Sequence, residues 1–114
     1  MLARPLRLQH SADIARVFKQ GRRIPCGPLF LMVAPNELGY SRFGCLAGKK
    51  VFPLATDRTA AKRIAREAIR FVSSHVRPGY DILVSYRVRP QTRSVARCAQ
   101  ALEECLDQSQ LLKK

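Results

Sequence analysis

The apolar residues of this chain fall into blocks with helical or strand-like spacing. After Ser11, the residues Ile14, Val17 and Phe18 sit at i, i+3 and i+4, and Gly21 stands just beyond them. That spacing predicts an amphipathic helix of two to three turns with a glycine stop. From Pro28 the text changes to LFLMVAP and, after the turn-like NELGYS, to RFGCLAG. These two short runs, bounded by Pro, Asn and Gly, are expected as paired strands, with Arg22 to Pro25 beginning the sheet.

Helical spacing returns at residues 57–76, with apolar side chains at 61, 64, 65, 68, 69, 72 and 76. A long helix packed on something flat follows from it, with Asp57 as N-cap and Arg-Pro-Gly at 77–79 as the stop. YDILVSYRV, residues 80–88, clusters β-formers as a buried strand does, and Pro90 breaks it. After Thr92 a last helix is expected to about Gln108, with Val95, Cys98, Ala99, Leu102 and Leu106 on one side. The tail QSQLLKK is expected to fray. No internal repeat, low-complexity tract or linker interrupts this order, so residues 1–114 are expected to form one domain.

Charge sharpens the picture. The 114 residues carry 21 Lys and Arg against 8 Asp and Glu, a net charge of +13. Such a balance opposes compaction and attracts polyanions. The stretch 49–70 alone holds seven of the basic residues and two acids. Projected at about 100° per residue, Arg58, Lys62, Arg63, Arg66 and Arg70 fall within an arc of roughly 140°. Ala61, Ala65, Ala68, Ile69 and Val72 occupy the adjoining arc. A solvated helix normally mixes both signs at i, i+4; segregation with so little counter-charge points to a phosphate-binding face. Cations one turn apart lie about 6 Å from each other, near the spacing of phosphates along a strand, so several can be neutralised with counterion release. Lys49 and Lys50 extend the same stretch. GCLAGK, residues 44–49, is not a phosphate-cradling loop: it has three residues between its glycines, and Lys50 in place of Ser or Thr.

A second candidate surface combines Phe18 and Phe30 with Ile14 and Met32, flanked by Lys19, Arg22 and Arg23. Aromatics beside cations can stack unpaired bases, although core packing also calls for such residues.

Protein-borne chemistry is not evident. Glu103 and Glu104, the only adjacent acids, point about 100° apart on a helix. His10 and His75 have no local partner, and no serine sits in a nucleophile-elbow context. Cys26, Cys45, Cys98 and Cys105, spaced by 19, 53 and 7 positions, form no zinc pattern and are expected as reduced small hydrophobes. No segment has the length of a signal peptide's apolar run or of a membrane span, so a cytoplasmic location is expected. If the chain serves an enzyme, the reactive groups come from elsewhere.

The stretches RLQHSADIARVFKQGRR, GPLFLMVAPN, RFGCLAGKKV, RTAAKRIAREAIR and PGYDILVSYR together resemble the protein component of bacterial ribonuclease P, from about Leu6 to Leu106. The family's helix pattern is Arg-Asn-Arg followed by x-Lys-Arg-x-x-Arg-Glu or Gln. Arg58, Lys62, Arg63 and Arg66 match it, while Thr59 and Ala60 stand where the family has Asn and the second Arg. The preceding FPLATD lacks the usual Gly-Lys/Asn-Ala and is one residue longer.

The resemblance implies an α+β fold, a two-layer α/β sandwich in which a mixed four-stranded sheet carries three helices and a left-handed βαβ crossover, a handedness that general rules would not give. It implies that Lys49, Lys50, Arg58, Lys62, Arg63, Arg66 and Arg70 bind the catalytic RNA. It also implies that a cleft with Ile14, Phe18, Arg22 and Met32 receives the single-stranded 5′ leader of precursor tRNA. It implies further that the RNA subunit with Mg2+ cleaves the phosphodiester bond and that the chain is a monomeric accessory subunit; no membrane partner is expected. The alternative from a different class is a non-catalytic structural RNA-binding protein of ribosomal type, with the same charge and size but no preference for a leader. A DNA-binding reading lacks the helix-turn-helix pair or dimer seam it would need.

Overall fold

A computed structural model describes residues 4–91 and 93–113. The main elements are α1 (Ser11–Gln20), β1 (Arg22–Cys26), β2 (Leu29–Pro35), β3 (Arg42–Leu46), α2 (Ala55–Val72), β4 (Tyr80–Tyr86) and α3 (Val95–Gln108), with short 3-10 turns at Arg4–Leu6 and Ser73–His75. The strands form one mixed sheet in the order β1-β2-β4-β3. β1–β2 and β2–β4 are antiparallel, and β3–β4 is parallel. β2 and β3, expected as a pair, are separated by β4: α2 carries the chain from β3 to its parallel neighbour, and β4 takes the place between the two runs.

Alternation assigns the side chains to two faces. Leu29, Leu31, Val33, Ile82, Val84 and Tyr86 pack with α2 and α3 in the larger core. Met32, Ala34 and Leu83 pack on the opposite face with Val17 of α1 and with Leu8. Both faces of the central strands are covered, which is why LFLMVA reads as a continuous apolar run. On α2 the buried residues are Ala61, Ala65, Ala68, Ile69 and Val72. The three alanines let the helix approach the sheet closely, and Tyr86 ties across by donating its hydroxyl to the Ala61 carbonyl at 2.8 Å.

Two glycines set the entry and exit of β1. Gly21 ends α1, donating its N–H to Val17 O at 2.8 Å, and a Cβ there would lie 2.4 Å from that same oxygen. Gly27, at φ 63°, adopts the left-handed conformation that the two-residue turn between β1 and β2 requires.

Several element ends differ from expectation. α1 begins at Ser11 itself, and His10 at the cap position makes no side-chain hydrogen bond to the helix end. α2 starts at Ala55, so Asp57 lies in the first turn instead of capping it. There its carboxylate still favours the helix N-terminus, while taking Arg89 and Arg93 at 3.0 and 2.9 Å. Ser94 does cap α3, accepting from Arg97 N–H at 3.2 Å. The tail is anchored rather than frayed as far as residue 113. Leu111 is buried, Arg77 N–H donates to Leu111 O at 2.7 Å, and Lys113 N–H donates to His75 O at 2.7 Å.

The four cysteines are free thiols. Burial pushes the thiols of Cys26 and Cys45 up and that of Cys98 up to about 11. Thiols so protonated are poor nucleophiles. Among the described residues no helix is long and apolar enough to cross a membrane.

Candidate nucleic-acid interface

The basic stripe of α2 separates into two kinds of cation. Arg58 donates to the carbonyls of Phe52 and Pro53 at 2.8 and 3.0 Å, so its guanidinium pins the loop that carries Lys49 and Lys50. Arg70 pairs with Glu67 at 3.1 Å and lies over the Phe71 ring at 5.3 Å. Lys62, Arg63 and Arg66, and Lys49 and Lys50 ahead of them, have no carboxylate partner among the described residues. Thr59, at one position where the motif departs, turns its hydroxyl back to the Ala55 carbonyl at 3.0 Å.

This asymmetry is not a shortage of ion pairs elsewhere. Asp13, Asp57, Asp81 and Glu67 each receive an arginine. Asp13 and Asp81 are held on the α1 face, Asp57 by Arg89 and Arg93, and Glu67 by Arg70 alone, so Lys62, Arg63 and Arg66 keep a field that an RNA backbone can neutralise.

The α1 face is organised by an acid that sequence reading missed. Asp81, on β4, is fully buried. Arg42 of β3 grips it with two hydrogen bonds, Nε to Oδ1 at 2.8 Å and Nη2 to Oδ2 at 2.6 Å. Asn36 Nδ2 donates to Oδ1 at 2.9 Å, and Arg16 of α1 also donates to Oδ2. Arg42 reaches on to Asp13 of α1 at 3.1 Å. Burial alone would push the Asp81 carboxyl up; hydrogen bonds from Arg42 and Asn36 and the charges of Arg42 and Arg16 outweigh it and hold it below the usual range. The visible signal was an acid inside YDILVSY, since a buried carboxylate needs cationic partners.

These bonds fix α1 over the Pro35–Asp81–Arg42 end of the sheet. Ile14 and Phe18 lie on the flank of α1 turned away from Arg16, about 200° round the helix for Phe18. That flank overlooks the part of the face that α1 leaves open, with Phe30 and Leu46 half-buried in it. Phe18 is 47% exposed. Arg23 lies over the Phe30 ring at 5.6 Å.

Two expected cleft residues sit elsewhere. Met32 is 0% exposed, packed with Val17 in the smaller core, so it does not line the open face. Arg22 pairs with Val33, whose side chain belongs to the opposite face. Strand alternation turns Arg22 away and puts Arg23 beside Phe30.

With this geometry in view, likeness to known proteins becomes decisive. A family model described as Ribonuclease P matches residues 2–110. The chain belongs to the ribonuclease P protein family. Its curated relatives include the ribonuclease P protein component of Herpetosiphon aurantiacus, 34% identical over 110 residues that cover 96% of this chain and 89% of the relative. That of Natranaerobius thermophilus is 30% identical over 107 residues, 94% of this chain and 92% of the relative. The solved ribonuclease P protein of Staphylococcus aureus superimposes with TM-score 0.79 at 24% identity, covering 100% of this chain and 97% of that one. That of Thermotoga maritima does so with TM-score 0.75 at 25% identity, covering 90% and 96%. As a ribonuclease P protein, the chain is a subunit of the ribonucleoprotein endonuclease that processes the 5′ leader of precursor tRNA, and it associates with ribonuclease P RNA.

Proposed function

We propose that α2 docks on ribonuclease P RNA through Lys62, Arg63 and Arg66, with Lys49 and Lys50 extending the contact along the preceding loop. Arg58 holds that loop in place, and Arg70 flanks the surface from its pairing with Glu67. The observation that carries this reading is the set of unpaired cations on one helix face in a chain whose buried and half-buried acids are matched to arginines.

The second half of the proposal is that the open sheet face beside α1 receives the single-stranded 5′ leader. Phe18 and Phe30 offer ring faces for unpaired bases, Ile14 closes the flank, and Arg23 and Lys19 supply positive charge. One copy of the chain acts in each complex, in the cytoplasm, where its four thiols remain reduced.

The described residues do not offer magnesium a site. Among the described residues no three His, Cys, Asp or Glu side chains gather as a metal cluster, and Asp81 and Asp57 are occupied by two arginines each. We therefore assign the magnesium of the reaction to the RNA. The protein's contribution is to screen phosphate repulsion and to hold the leader.

The test is a processing assay at low magnesium with a bacterial ribonuclease P RNA and precursor tRNA. Adding the protein is expected to stimulate 5′ maturation. Binding to both RNAs without stimulation would contradict the proposal and favour a purely structural RNA-binding role.

A further inference from the structure

Beside the basic stripe lies a groove of about 680 Å³ that the docking surface alone does not explain. It runs between α2, the outer edge of β3 and the N-terminal segment ahead of α1. That volume falls within the range of roughly 300–1,000 Å³ typical of small-molecule pockets. Its wall is apolar where Leu8, Phe43 and Ile69 meet, and its rim carries Arg63 and Arg66.

Two features make it more than a gap between elements. The first is an open strand edge. Leu8 N–H donates to Phe43 O at 2.8 Å, so Phe43 turns its backbone outward from the sheet. Two residues on, Cys45 turns the same way, and among the described residues no other backbone group pairs with it there. The groove thus offers an N–H and a C=O side by side. The second is Glu67, whose Oε2 accepts from Arg70 while the side chain lines the groove. The field at Cys45 is positive: burial raises its thiol, and Arg66 and Lys62 oppose that rise.

We infer that this groove binds one unstacked nucleotide of single-stranded RNA, its base inserted between α2 and the β3 edge and its phosphate on Arg63 and Arg66. A flat, partly apolar ring with donors and acceptors on its rim matches apolar walls that end in a backbone N–H, a C=O and a carboxylate. The phosphate matches two arginines that have no carboxylate of their own. A duplex satisfies the arginines but leaves the groove empty, because its bases are stacked and paired. The inference rests on α2 being the RNA-facing surface, and it adds a requirement for an unpaired base.

NMR on the full 15N-labelled chain separates the two ideas. The probes are a five-nucleotide single-stranded RNA of mixed sequence, the same strand lacking its bases, and a blunt RNA duplex. All three are expected to shift the α2 amides of Lys62, Arg63 and Arg66. Only the intact single strand is expected to shift Gly44 and Cys45 in a saturable manner, with affinity at that site about tenfold above the base-free strand, the scale of one stacked base. Equal shifts at Gly44 and Cys45 with and without bases would overturn the nucleotide site and leave the docking surface standing. No α2 shift with any of the three would overturn the docking surface itself.

Discussion

Arg42 and Asp81, on the neighbouring parallel strands β3 and β4, form a two-pronged ion pair at 2.8 and 2.6 Å around a carboxylate with no exposed surface. Arg16 extends it to α1. The pair therefore holds the sheet together and also sets the position of the helix that walls the proposed leader cleft.

Acid stability should follow from this pair. The folded-state pKa of Asp81 is depressed, so its contribution is present above the unfolded carboxyl value near about 3.9 and is lost as pH falls through the folded value. Removing the acid alone strands two arginines, and Asp81→Ala is expected to cost about 3 kcal/mol at neutral pH. Denaturant melts from pH 2 to 7 check both statements. The variant should lose part of the wild-type decline below about pH 4; an unchanged decline would assign the acid sensitivity to other carboxylates.

Gly21→Ala should destabilise the fold by about 1–3 kcal/mol, the usual cost of overpacking. The added carbon would sit 2.4 Å from Val17 O, and that clash is with backbone, which cannot swing aside as a side chain can. At Gly48, where the added carbon meets nothing within 4 Å, the same change should stay within about 0.5 kcal/mol. Thermal or urea unfolding of the two variants compares them directly.

Met32 and Phe18 should part company in the same way. Met32→Ala empties a buried site and is expected to lower stability by about 2–5 kcal/mol. Phe18→Ala removes a half-exposed ring; stability should change by less than about 1 kcal/mol. Its binding of precursor tRNA should weaken by about tenfold, the effect of unstacking a single base, with little change for mature tRNA. Equal weakening on both RNAs would remove Phe18 from leader binding.

Helix positions were legible because α1, α2 and α3 each bury one stripe, and a stripe leaves a period in the text. Strand existence was legible too, but pairing was not: nothing in LFLMVAP or RFGCLAG says that a later strand separates them. The orientation of Arg22 and Arg23 depends on register, where a shift of one residue exchanges the two faces. Met32 was ambiguous because β2 is covered on both sides, which erases alternation. The loop contact of Arg58 was hidden because a guanidinium aimed at the carbonyls of Phe52 and Pro53 has the same sequence signature as one aimed at phosphate. The anchored tail depends on Leu111 finding a place beside Arg77, far back along the chain, and local polarity does not report such a long-range bond.

The central claim is that Lys62, Arg63 and Arg66 neutralise RNA phosphates. The salt dependence of binding to ribonuclease P RNA tests it most directly, comparing wild type with the triple variant Lys62→Ala, Arg63→Ala, Arg66→Ala. The slope of log K against log salt should fall by about 0.7–0.9 for each phosphate no longer neutralised, or about 2–3 in all. A triple variant that keeps the wild-type slope would contradict the account.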